Sequence, residues 1–550
     1  MDIDEGPTIA EAARFATIDH CREGYIPDSH TAEILRAHAW RLDDLDSKIN
    51  AQIAGLQARL SAIRRQSAIT KCLVAPVRRL PQEVLSDVFL LALPADYCNH
   101  PAGRSPLNVA EVCYTWRATV LGTATLWANL NIRPSSAQEA LQWVDVANRY
   151  LRRSRQVSLR ISIDASNFDR EIGKAAEGTN IWTYIASQSH RLHTLSLSRV
   201  PIGQYSVFED EHFPLLRKLM LSFRAPRADN WESILAGPLP FHAFKHAPHV
   251  QTLRLWYCAE PSNLVLPSSW RITRLKIVCG DSIGAFQPDI APCVQAVLSC
   301  APSLEHCTLE ADIFDGVAVT MLSQQQRTSF PALKRLHLSQ EAIHFCHFIS
   351  APEIESVVLT GKHRDDDGVL FSAFTQMVRH SSFCPRLQRL DLRMFPDIGD
   401  DIDDCLMLLP SITTLSLRNP AYYVPGRDAV VISEGILQLL TRDEADADSL
   451  RLLPHLSCLR LRFGSSPDVH MDLTDVDSAL WLMARSRSKK GLMLDGSELA
   501  VLQVQVDAQC YLPPAGIVQS GEYPDCIHYD EGLDPKVRHT EWDSEEIESD

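Results

Sequence analysis

At 550 residues the chain is too long for one compact core, and its 45% apolar and 22% charged side chains are those of a soluble globular protein. A net charge of −16 argues against nucleic acid as a partner of the whole chain, and no apolar run reaches the roughly 18 residues that a bilayer span needs. The acidic start, Met1 to Glu5, lacks the basic and apolar parts of a signal peptide, and the 15 Cys include no C-x-x-C pair, so a reducing cytoplasmic or nuclear setting without membrane, metal or cofactor is expected.

Residues 1–28 have little periodicity and read as a flexible lead-in. A helical pattern covers 29–70, where Leu35, Leu42, Ile49, Leu56 and Ile63 recur every seven residues and Leu45, Ile53 and Leu60 fill the same stripe. The companion spacing slips from three to four between Leu45 and Ile53, a stutter in the heptad. Two readings stay open: a dimeric coiled coil through residues 31–67, or a helix packed back on its own chain.

Residues 80–94 read Leu-Pro-Gln-Glu-Val-Leu-Ser-Asp-Val-Phe-Leu-Leu-Ala-Leu-Pro. Pro81 suits the first turn of a helix, and Glu83 complements its positive end. Val84, Leu85, Val88 and Phe89 then fall on one broad apolar face. After a 13-residue insert come Val112-Cys113-Tyr114-Thr115-Trp116-Arg117 and then Leu126-Trp127. A further amphipathic helix, 137–153, leads into an alternating strand at Val157, Leu159, Ile161 and Ile163.

From Leu192 to Leu461 the phrase Leu-x-x-Leu-x-Leu, with Ile, Val or Cys substituting, occurs ten times at intervals averaging about 29 residues. In eight copies Pro stands two residues before the first apolar position, where it is expected to hold the entering chain extended and block further helix. Alternate apolar residues mark short strands with one buried face. Strand followed by helix at this spacing implies a right-handed α/β solenoid with a parallel sheet and helices outside, over 137–506. Helix Val476–Arg487 and strand Leu499–Val506 form an eleventh unit. From Asp530 to Asp550 nine carboxylates face two basic residues, so 507–550 reads as an acidic, disordered tail.

The copies resemble leucine-rich repeats of the irregular, helix-containing kind. They depart from that family in lacking its Asn or Cys three residues after the last Leu, with Cys258 the one fit. The phrases Leu-Pro-x-Glu-Val-Leu, Val-Cys-x-x-Trp-Arg and Leu-Trp resemble an F-box over 78–132, departing in the insert Ala95–Leu107 and in Tyr114. The fold that follows is α/β: a small all-α F-box domain after a long amphipathic helix, then the repeat solenoid.

That resemblance implies a non-enzymatic substrate adaptor, docked on a Skp-type linker and through it on the cullin and RING subunits of a ubiquitin ligase. An F-box scaffold that assembles no ligase is the alternative. The expected Skp-binding side chains are Leu80, Pro81, Val84, Leu85, Val88, Phe89, Val112, Cys113, Trp116 and Trp127, some of which must instead hold the domain together.

Three outward positions per strand give thirty residues for the concave face of the solenoid, where ligands bind in such arrays. Ten are basic, namely Lys218, Arg254, Arg274, Lys276, Arg335, Arg389, Arg393, Arg418, Arg460 and Arg462, and only Glu310 and Asp391 are acidic. With Trp256 these form the expected substrate surface. Three readings remain: solvated or loop-paired arginines, an acidic or phosphorylated protein partner, or the chain's own acidic tail lying over them. No hydrolase, kinase or phosphate-loop motif occurs, and His344, Cys346 and His347 read as packing rather than metal ligation.

Overall fold

A computed structural model of the chain describes residues 6–93, 106–133, 137–165, 181–200, 202–222, 240–257, 264–279, 291–311, 327–361, 368–393, 401–419, 432–463, 474–494, 497–507 and 527–530. The chain divides into two compact units, Met1–Ala92 and Leu93–Asp550.

In the first unit a 46-residue helix runs from Ser29 to Val74. Asp28 caps it by accepting from the Thr31 N–H at 2.7 Å, and that hydrogen bond holds its carboxyl below the usual range. The helix Gly6–Phe15 packs back on its first turns: Phe15 stacks on His38 at 5.4 Å, Ala12 is buried, and Glu11 lies 3.9 Å from Arg41. The fold-back reading therefore applies to the part before the stutter. Every residue from 50 to 74 is exposed. A second helix, Gln82–Ala92, follows Pro81.

In the second unit a parallel fourteen-stranded sheet holds its strands in sequence order. They are β1 (Asn129–Ile132), β2 (Leu159–Asp164), β3 (Leu192–Ser198), β4 (Lys218–Ser222), β5 (Thr252–Tyr257), β6 (Arg274–Cys279), β7 (His306–Ala311), β8 (Arg335–Gln340), β9 (Ser356–Thr360), β10 (Arg389–Arg393), β11 (Thr414–Arg418), β12 (Cys458–Arg462), β13 (Gln503–Asp507) and β14 (Ile527–Asp530). Helices join several of them, among them Ala137–Arg153, Ala291–Ser299, Gly368–His380 and Thr474–Arg487.

The register is the one the repeated phrase dictates. Leu195, Leu219, Leu253, Leu275, Cys307, Leu336, Val357, Leu390, Leu415, Leu459 and Val504 pair strand to strand in one buried row. Leu197 through Val506 make a second row two residues on, and no member of either row is more than 2% exposed. Each buried aliphatic side chain contributes about 1.5–3 kcal/mol, so the stacked rows are the main source of the sheet's stability.

The Pro of the phrase has another task than the one its chemistry first suggests. Six of them, Pro214, Pro331, Pro352, Pro385, Pro410 and Pro454, sit second in a four-residue turn. The turn closes when the first apolar N–H of the phrase donates to the carbonyl three residues back, as from Leu387 to Cys384 at 2.9 Å and from Leu456 to Leu453 at 3.2 Å. The fixed φ of Pro near −65° suits that second position. The first turn residue, such as Phe213, Phe330 or Leu409, is fully buried. Pro thus bends the chain into the strand instead of extending it.

Two strands lie beyond the repeats legible in sequence. β1 opens the sheet inside the stretch expected to be all-helical, and β14 closes it inside 507–550, the stretch expected to be a disordered acidic tail, whose first residue, Asp507, already ends β13. The remainder of that tail, Cys258, most of the insert 95–107 and the acidic run at 365–367 fall outside the described residues. Among those described, no helix is long and apolar enough to cross a membrane.

Candidate functional site

The ten expected F-box anchors divide by burial. On the helix Gln82–Ala92, Leu85 and Phe89 are 1% and 2% exposed, whereas Val84 and Val88 are 43% and 40% exposed. Leu80, just before the helix, is 37% exposed and Leu91 87%. Positions 84, 88 and 91 of the helix fall within about 60° of arc at 100° per residue, so they form one apolar stripe, with Leu80 in the extended residues that lead into the helix. Leu91 was not among the expected anchors, although its place seven residues after Val84 puts it on that stripe. Pro81 is exposed at the helix entrance.

The other two phrases belong to the second unit. Cys113 caps the helix Tyr114–Gly122, its Sγ accepting from the Trp116 N–H at 3.5 Å, and is itself half-buried, as is Trp116. Val112 beside it is 56% exposed. Trp127 is core, at 1% exposed. Its Nε1 donates to the Val120 carbonyl at 2.8 Å, Tyr150 meets its ring edge-on at 4.9 Å, and the Arg153 guanidinium lies 4.4 Å from its centroid. Trp127 therefore closes the first layer of the sheet and is withdrawn from any partner surface.

On the sheet all thirty outward positions keep a common face, in three rows between the buried ones. Lys218, Arg274, Arg335 and Arg389 stand in the first row, Arg254, Lys276 and Arg460 in the second, and Trp256, Arg393, Arg418 and Arg462 in the third. All eleven are partly or well exposed. Five arginines concentrate on the adjacent strands β10–β12. Arg393, Arg418 and Arg462 follow one another in register, a ladder at the ~4.8 Å spacing of strands.

Both acidic residues of this face are already engaged. Lys276 Nζ meets Glu310 at 2.9 Å. Arg393 donates from Nε and Nη2 to one oxygen of Asp391, at 2.9 and 2.8 Å. Asp391 is 6% exposed, and its second oxygen has no hydrogen-bond partner among the described residues. Such a buried carboxylate fixes the plane of Arg393 and holds its remaining donors in place. Arg460 is aligned by Gln505 at 3.0 Å.

His337 sits among these groups in the second row, and sequence reasoning passed over it. Burial first, then Arg393 and Lys276, push it down to about 4, against the opposing pull of Glu310 and Asp391. It is neutral at pH 7. Unfolded, it would titrate near 6.5, so between about 4 and 6.5 the unfolded chain binds a proton that the folded chain refuses, and stability falls as pH falls through that window. Between pH 7 and 5 the parent should lose about 2 kcal/mol from this group. His337→Gln should lose correspondingly less in denaturant midpoints across that range, and identical pH slopes would refute the assignment.

His344 and His347 stack at 5.8 Å with Cys346 in the core, and among the described residues no three His, Cys, Asp or Glu gather as metal ligands. No protein-family model matches the chain, and no curated protein matches it. Of the solved structures, a protein of Bacteroides fragilis determined by a structural-genomics consortium is similar at 13% identity, over 56% of this chain and 81% of its own, with a TM-score of 0.29. At that score the likeness carries no weight for function.

Proposed function

We propose that the chain is a substrate-recognition adaptor of a Skp–cullin–F-box ubiquitin ligase, with no catalytic residues of its own. The observation that carries this reading is the bare apolar stripe Val84, Val88 and Leu91, with exposed Leu80 ahead of it, in the first of three F-box-like phrases in a chain that goes on to a repeat sheet. An interface of this kind draws its energy from a few apolar anchors that a partner helix covers. In this reading the exposed stripe, and not the buried Leu85 and Phe89, supplies the anchors on this helix.

The open face of the sheet then recruits an acidic or phosphorylated protein segment. Its arginine ladder offers planar donors at strand spacing, a pattern suited to carboxylates and phosphates. Reversing Arg393, Arg418 and Arg462 to Glu together should weaken a phosphorylated acidic peptide by on the order of 100-fold, from about 1 kcal/mol per partly exposed charge. Binding by the parent should weaken with salt. Equal affinity for parent and triple variant would remove this surface from the account.

The second reading is an F-box scaffold that binds Skp and assembles no ligase. Reconstitution of the full chain with a purified Skp-type linker, a cullin and its RING subunit separates the two. A complex containing all four supports the adaptor, a Skp complex without cullin supports the scaffold, and no complex overturns both.

A further inference from the structure

The second half of the long helix carries a seam with no cover. Ile53, Leu56, Leu60 and Ile63 are 46%, 63%, 46% and 66% exposed. Their spacing of 3, 4 and 3 residues is the a/d pattern of a heptad, with Ile53 and Leu60 at a and Leu56 and Ile63 at d. The stutter before Ile53 separates this seam from the half already covered by Gly6–Phe15.

The flanks of the seam say what it fits. Its g positions are Gln52, Arg59 and Gln66, and its e positions Gln57, Arg64 and Lys71. No acidic residue occurs from 50 to 79, while Arg59, Arg64, Arg65, Lys71, Arg78 and Arg79 do, in a chain of net charge −16. We infer that residues 52–66 form a heterotypic coiled-coil seam for a partner helix with apolar a and d positions and acidic e and g positions.

A second copy of this chain fits worse. In a parallel pair each g side chain faces the e side chain five positions further along its partner, which sets Arg59 against Arg64 of the other copy, twice per dimer. Like charges there oppose association, and the antiparallel arrangement also confronts basic with basic or amide side chains. An anionic membrane fits worse too. The stripe spans only about 80° at 100° per residue and has no aromatic side chain, whereas interfacial helices bury a broad face rich in Trp, Phe and Leu.

The test uses the full chain and two synthetic four-heptad peptides with Leu at a and d, one carrying Glu and the other Lys at every e and g position. The acidic peptide should bind at least about tenfold tighter than the basic one. That binding should vanish in Leu56→Asp/Leu60→Asp, whose exposed positions leave the fold intact, and the preference should invert in Arg59→Glu/Arg64→Glu. Three results would overturn the inference: no preference between the peptides, a concentration-dependent homodimer that Leu60→Asp dissociates, or phosphatidylserine vesicles that displace the acidic peptide through the same leucines.

Discussion

Replacing Arg487 with Ala is expected to destabilise the C-terminal end of the sheet by about 3 kcal/mol or more. Arg487 is fully buried at the end of the helix Thr474–Arg487, and among the described residues it makes no ion pair. Its guanidinium instead joins three carbonyls from two neighbouring segments: Leu440 through Nε, Leu453 at 3.2 Å and Leu452 at 3.0 Å. Burial and the nearby Arg442 push it down to about 9, so it is still charged at pH 7. Alanine would leave three buried carbonyls without donors and a void of guanidinium size. Lysine would keep the charge and lose the planar fork, and so should rescue little.

The loss should be local, because each repeat leans only on its neighbours. Hydrogen exchange should quicken over residues 434–507 and stay unchanged near β3–β7. Protection equal to the parent's throughout would show that Arg487 merely fills space. Arg442, bonded to the Ala500 and Pro454 carbonyls, and Arg191, bonded to the Leu151 and Val157 carbonyls, Ser154 and Gln188, repeat the device. Arg191 and Arg487 each cap the last carbonyls of a helix, where a cation is favoured.

These buried arginines explain much of what the amino-acid sequence hides. A lone Arg in a polar stretch reads as solvated surface, and nothing in its neighbours' identities tells that Leu151 or Leu440 offers it a carbonyl. The strand register is legible because a period of two is unambiguous when Leu repeats it ten times, and the thirty outward positions follow from the same arithmetic. β1 and β14 escape notice because Asn129-Leu130-Asn131-Ile132 and Ile527-His528-Tyr529-Asp530 are too short to show a period. Chain-reversing Pro and chain-extending Pro look alike in sequence, and only the hydrogen bond across the turn separates them.

The helix Gln82–Ala92 shows the same limit at finer scale. Helical spacing places Val84, Leu85, Val88 and Phe89 on one broad apolar face, yet a turn of about 100° per residue parts the 84/88 edge from the 85/89 edge. One edge is bare and the other buried. Substituting Leu85 would therefore confound docking with folding. Val84 and Val88 avoid that, because their half-exposed side chains are free of the core.

Calorimetric titration of the purified full chain with a Skp-type linker protein, comparing the parent with Val84→Asp/Val88→Asp, decides whether this stripe docks a partner. Two charges on a desolvated apolar stripe should cost at least about 3 kcal/mol of binding, a loss on the order of 100-fold or more, with helix content and thermal midpoint unchanged. A one-to-one complex should form with the parent and none should be detectable with the variant. A parent that does not bind, or a folded variant that binds as tightly as the parent, would contradict it.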